Sequence, residues 1–101
     1  MSELLAGFDW DVGNRAKCTK HGVSIAEIEA LFAGQLLVVP DIAHSQTEDR
    51  IRAIGKTAAG RMIFLVFTIR RKTGRRRVRP ISARYMHAKE IALYEKENPE
   101  L

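Results

Sequence analysis

Hydrophobic positions along this chain are spaced as on helices up to Gly34, cluster as on strands from there to Ser82, and return to helical spacing after Arg84. Leu4, Leu5, Phe8 and Trp10 suggest a short extended opening, and Asp11 can cap a first helix that runs to about Lys20 and ends at Gly22. Ser24 and Glu27 form an S-x-x-E pattern, in which the hydroxyl takes one orphan N–H and the carboxylate reaches back to another. A second helix starts there. Ile25, Ile28, Leu31 and Phe32 share one of its faces, and Gly34 stops it.

The run Leu36-Leu37-Val38-Val39 is too short for a helix and reads as a strand closed by Pro40, with a polar loop beyond. Arg50 to Gly55 alternates imperfectly, whereas Arg61 to Ile69 is rich in aromatic and β-branched residues and is the clearest strand. Lys72-Thr73-Gly74 marks a turn, and Arg76 to Ser82 forms the return strand of a hairpin whose loop has about four or five residues. Pro80 lacks an N–H and belongs near a strand end or on an edge. From Arg84 to about Asn98 the pattern turns helical, with Tyr85, Ala88, Ile91, Ala92 and Tyr94 as the apolar stripe and Pro99 as the stop. No helix separates the later strands. The expected class is α+β: a small antiparallel sheet of about four strands packed with two N-terminal helices and one C-terminal helix, the helices on one face. Residues 1–101 are expected to form a single domain.

Charge adds direction to this layout. Between Arg61 and Lys89 stand ten basic residues and no acidic one, while residues 1–60 carry six Lys/Arg against eight Asp/Glu and residues 90–101 carry one against four. The net charge of +5 is therefore segregated. Such a field captures and orients a polyanion, whereas evenly scattered charge mainly aids solubility. The single cysteine, Cys18, and the absence of zinc-type spacing point to a reducing compartment without an internal disulfide. With no leader-like N-terminus and no long apolar run, a cytoplasmic protein without membrane association is expected.

Three groups of residues could carry chemistry. His21, in Lys20-His21-Gly22, stands at the carboxyl end of the first helix, where it can donate a proton or bind phosphate, or simply end the helix. His44, Glu48, Arg50 and Arg52 lie on the polar loop and the strand after it; at strand spacing residues 48, 50 and 52 share a face, as a base among guanidinium groups or as a surface ion pair. Arg77 and Arg79 share a face of the return strand, with Arg70 ending the preceding strand and Arg84 near the first turn of the last helix. Their planar forks suit non-bridging phosphate oxygens. Among the aromatics, Phe64 and Phe67 belong to the core, Trp10 is expected to pack, and the Tyr94 hydroxyl could reach a substrate.

Nucleotide-binding loops, dinucleotide fingerprints, zinc-hydrolase motifs and nucleophile elbows are absent, and carboxylates are not clustered for magnesium. Metal-free phosphodiester cleavage stays open, because RNA brings its own 2′-hydroxyl nucleophile.

Phe8-Asp9-Trp10-Asp11, Lys20-His21-Gly22-Val23-Ser24, Glu48-Asp49-Arg50, Arg79-Pro80-Ile81-Ser82-Ala83-Arg84, and Glu90 with Tyr94 follow one another in an order that resembles the BrnT toxins of type II toxin–antitoxin modules. The resemblance runs from about Phe8 to Tyr94. It implies a fold similar to RelE-type microbial ribonucleases and RNA cleavage that arrests growth, and the absent motifs above lead to the expectation of no cofactor. It also implies a BrnA-type ribbon-helix-helix antitoxin partner, with operator DNA bound only through the toxin–antitoxin complex. Matched position by position, the polar set falls on Lys20, His21, Glu48, Arg50, Arg79 and Arg84; Arg70, Arg77 and Tyr94 are further candidate substrate contacts from their placement alone. Cys18-Thr19 stands where the family commonly has Asn-Leu, and Pro80 replaces an aliphatic residue. Two other readings fit the same basic surface: a non-catalytic RNA- or ribosome-binding module, and an interaction protein that meets an acidic partner chain.

Overall fold

Reciprocal caps open the first two helices. Asp11 accepts the Asn14 N–H at 3.0 Å while Asn14 Oδ1 accepts the Asp11 N–H at 2.7 Å, which starts α1 (Val12–Thr19). Ser24 and Glu27 exchange the same bonds at 3.0 and 2.9 Å at the head of α2 (Ile25–Leu31). Between them the chain turns at Gly22, whose φ of +94° a residue with a Cβ rarely adopts. These caps are the ones the sequence announces. The computed structural model describes residues 7–39 and 50–97.

The strands β1 (Leu36–Val39), β2 (Ile51–Lys56), β3 (Met62–Lys72) and β4 (Arg75–Tyr85) form an antiparallel meander in the order β1-β2-β3-β4, followed by α3 (Ala88–Glu97). An α+β class is what the pattern predicts. The β3–β4 connection differs from expectation: it is a two-residue turn at Thr73 and Gly74, both left-handed at φ +50° and +78°. Such turns match the right-handed strand twist, so pairing continues to the tip and no longer loop is needed. At its other end β4 runs on to Tyr85, opposite Ile63. Arg84 therefore stands on a strand and not at the start of the last helix, which begins beyond His87, where the Glu90 carboxylate accepts the His87 N–H at 2.8 Å.

One irregularity governs β4. Val66 faces Ser82 and Phe67 faces Pro80, which leaves Ile81 without a partner. This is a β-bulge, set where proline has no N–H to give and on a strand at the sheet edge, as a strand proline requires. The short segment Gly7–Asp9 covers part of that edge, with Asp9 N–H donating to Val78 O at 2.8 Å and Val78 N–H to Gly7 O at 3.0 Å. Asn14, buried at 5% exposure, donates its amide to Asp9 O and Pro80 O, both at 2.9 Å. One side chain thus ties α1, the covering segment and the bulge together.

The helices do not all lie on one face. Cys18, Val23, Ile28 and Leu31 from the α1–α2 region pack on Ala53, Ile63, Leu65, Phe67, Val78 and Ala83. Fully burying a side chain such as Ile28 or Leu65 is worth about 1.5–3 kcal/mol. A second cluster, Ile54 and Met62 with Tyr94 and Ile91 of α3, forms on the other face. Strand alternation requires this, because Ile54, Met62 and Phe64 point away from Ala53 and Ile63. At Gly55 a side chain of α2 lies close over the sheet: a Cβ there would be 2.9 Å from Leu31 Cδ2.

Replacing Asn14 by Ala would leave the Asp9 and Pro80 carbonyls without their buried donor. Urea unfolding of Asn14→Ala is expected to show a loss of about 2–3 kcal/mol through a lower midpoint at unchanged slope. An unchanged midpoint would contradict the role given to this amide.

Candidate functional site

Register decides which arginines meet. On the face that carries Phe64, Arg84 is opposite Phe64, Arg79 opposite Thr68, Arg77 opposite Arg70, and Arg52 opposite Val66. Arg79 and Arg84 are five positions apart, an odd spacing that in a regular strand would send them to opposite faces. The unpaired Ile81 restores their phase. The guanidinium carbons of Arg84 and Arg52 both lie near the Phe64 ring, at 5.0 and 5.8 Å from its centroid, so an aromatic floor separates the two cations. Arg70 and Arg77 form no ion pair with a carboxylate among the described residues, and the buried Nε of Arg77 has no hydrogen-bond partner there.

This face continues into a cleft of about 280 Å³ beside α1, lined by Lys17, Arg50, Thr68, Arg70, Arg79 and the Asn14–Pro80 contact. Arg79 is held there by two carboxylates, at 2.9 Å from Asp11 and 3.4 Å from Asp9. The Asn14 N–H, with Arg79 next, holds the Asp11 carboxyl below its usual range. These contacts fix the plane of the Arg79 guanidinium while its remaining N–H donors stay available.

A second cleft of about 390 Å³ is lined by His21, Arg61, Arg84, Tyr85, Met86 and His87. Arg84 makes a bidentate pair with Glu90, both bonds 2.8 Å, and the same carboxylate accepts the His87 N–H at 2.8 Å. Arg84 first and the His87 N–H second hold the Glu90 carboxyl down at about 2. The Tyr85 hydroxyl donates to Glu27 at 2.8 Å, which raises its pKa, and the Arg61 guanidinium carbon lies 3.4 Å from the Tyr85 ring centroid. Glu27 is held below its usual range by the Ser24 N–H and then by that hydroxyl.

Sequence candidates thus divide between two clefts. Arg50, Arg70 and Arg79 line the first, with Arg77 across from Arg70; His21 and Arg84 line the second. Lys20 is exposed at the end of α1 and lines neither. Tyr94 is 9% exposed, buried in the cluster beneath α3, and burial raises its pKa. Glu48 and His44 lie outside the described residues. Trp10 packs as expected, its indole N–H donating to Glu29 at 2.8 Å. Lys17, Arg61 and His87 escaped the sequence reading. The spacing of His87 and Glu90 would have signalled a later helix start. Lys17 and Arg61 offered no local signal, because only the packing of α1 and Tyr85 brings them to a cleft. Among the described residues no His, Cys, Asp and Glu side chains are grouped so as to hold a metal ion, and no helix is long and apolar enough to cross a membrane.

Comparison with known families places this geometry. The family described as the ribonuclease toxin BrnT of type II toxin–antitoxin systems matches residues 10–90, which run from Trp10 through both clefts to Glu90. No curated protein matches the chain.

The Arg84–Glu90 pair gives a defined acid response. Because the Glu90 carboxyl is depressed from 4.5 to about 2, its contribution to stability is complete above about pH 4.5 and disappears as pH falls toward 2. Both side chains are over a third exposed, so the contribution is modest. Thermal melts of Glu90→Gln should start from a slightly lower Tm at neutral pH and lose less than the parent between about pH 4.5 and 2. Parallel acid profiles would contradict the pairing.

Proposed function

The chain belongs to the BrnT family of ribonuclease toxins of type II toxin–antitoxin systems, and on that premise we propose that it is a metal-independent endoribonuclease acting in the cytoplasm. RNA is the substrate and an antitoxin the partner of this family's toxins. The antitoxin we propose is a BrnA-type ribbon-helix-helix protein, through which the complex contacts operator DNA. What supports the nuclease reading most is the common face of Arg52, Arg70, Arg77, Arg79 and Arg84, with His21 beside its Arg84 end.

In this reading the RNA backbone lies along the arginine face. Arg70, Arg77, Arg79 and Arg50 hold phosphates flanking the scissile linkage, and Arg84 meets the charge that develops at the reacting phosphate. The 2′-oxygen attacks phosphorus and the 5′-oxygen leaves, so the protein has only to move protons and stabilise charge. His21 is one proton-transferring group, and Glu48 is the sequence's candidate for the other. General acid–base assistance is worth about 10²–10⁴-fold, and a positioned charge donor on the order of 10²-fold.

Purified protein incubated with a structured RNA in EDTA should yield fragments ending in 2′,3′-cyclic phosphate, and Arg84→Ala prepared in parallel should cut about 10²-fold more slowly. Binding without cleavage would favour an RNA-docking module, and equal cutting by the variant would point to a contaminating nuclease. In cells, expression should arrest growth and co-expression with the neighbouring reading frame should relieve it. Growth unaffected by expression would count against a toxin.

A further inference from the structure

The cleft that contains His21 contains a second histidine. His87 precedes α3 directly, and its backbone is fully engaged: its N–H donates to Glu90 at 2.8 Å and its carbonyl accepts the Ile91 N–H at 3.0 Å. Its ring makes no hydrogen bond among the described residues, and neither does that of His21. Both residues are exposed along the same cleft. The position of His87 is therefore fixed by its main chain, and the residue lines the cleft together with Arg61 and Arg84.

Glu90 makes this arrangement specific. One carboxylate grips Arg84 through both terminal nitrogens and also takes the His87 N–H, so the charge-stabilising arginine and the histidine are placed relative to each other by a single side chain. Metal-free cleavage of RNA needs one group to remove a proton and another to deliver one, both effective near neutral pH. Lys20 lines neither cleft, whereas His87 shares the cleft of His21.

Resting on the ribonuclease reading above, we propose that His87 is a catalytic residue that works as a pair with His21. One imidazole nitrogen takes the 2′-hydroxyl proton as the 2′-oxygen bonds to phosphorus. The bond from phosphorus to the 5′-oxygen breaks with its electron pair on that oxygen, which takes a proton from the other, imidazolium, ring. The products are a 2′,3′-cyclic phosphate and a 5′-hydroxyl; one proton has moved from the 2′- to the 5′-oxygen, and nothing is oxidised or reduced. The charged and titratable groups around the pair are Arg61 ahead of β3, Arg84 and Tyr85 on β4, Glu90 on α3, and Glu27 on α2 through the Tyr85 hydroxyl.

The experiment compares the full chain with its His21→Gln, His87→Gln and Glu48→Gln variants, measuring kcat/KM on a short RNA in EDTA from about pH 5 to 9. The parent should give a bell. Each histidine variant should fall by about 10²-fold or more and keep only one limb, with an unchanged Tm because neither ring is hydrogen-bonded. A His87→Gln protein within about threefold of the parent and with both limbs intact, or loss of a limb in Glu48→Gln in its place, would overturn the pair while leaving the nuclease standing. A second readout does not depend on cleavage. On titration with cytidine 2′-monophosphate, the ring signals of His21 and His87 in the parent's NMR spectrum should shift together, at one ligand concentration. If the His21 signal moves and that of His87 does not, the pair is refuted whether or not the protein cuts RNA.

Discussion

A single unpaired residue sets the orientation of the basic surface. Without the bulge at Ile81, β4 would alternate regularly, and Arg77 and Arg79 would face away from Arg84. With it, the arginines of β4 join Arg70 and Arg52 on one side of the sheet. The bulge is held from two directions: Pro80 has no N–H to continue the ladder, and its carbonyl is taken by the buried amide of Asn14. The same amide anchors the segment that brings Asp9 and Asp11 to Arg79. Position of charge in this molecule therefore depends on a neutral hydrogen bond in the wall of the first cleft.

Carboxylates complete the surface and do not cancel it. Arg79 is oriented by Asp9 and Asp11, and Arg84 by Glu90. Long side chains pay rotamer entropy when they bind an anion, so guanidinium groups already held in place give up less on binding. Arg70 and Arg77, opposite one another beyond Arg79 toward the hairpin tip, carry no such partner among the described residues. The face thus combines fixed cations at Arg79 and Arg84 with adaptable ones toward the hairpin tip.

Much of the fold was legible because its signals are local. The S-x-x-E cap at Ser24, the glycine turn at Gly22 after α1 and the aromatic, β-branched run of β3 each depend on a few neighbouring residues, and each appears where the pattern put it. What was not legible depends on contacts between distant parts of the chain. The two-residue turn at Thr73-Gly74 and the extension of β4 to Tyr85 follow from pairing with β3, which no window of β4 alone contains. The second helical layer arose because α3 covers apolar side chains on the alternate face of β2 and β3. For the site, the residue types were evident from charge segregation, and the resemblance to the BrnT family agrees with the match over residues 10–90. Their division between two clefts was not evident. An odd spacing of Arg79 and Arg84 concealed a shared face, and His87 lay inside a stretch read as an uninterrupted helix.

Whether the substrate meets this one face can be measured directly. Arginine Nε–Hε NMR signals of the full chain would be followed on addition of a 2′-O-methyl RNA, which lacks the attacking hydroxyl and stays intact. Signals of Arg52, Arg70, Arg77, Arg79 and Arg84 should shift, while those of Arg71 and Arg76, paired with each other on the opposite face, should stay in place. Shifts confined to Arg71 and Arg76, or spread evenly over both sets, would contradict an RNA path set by the bulge.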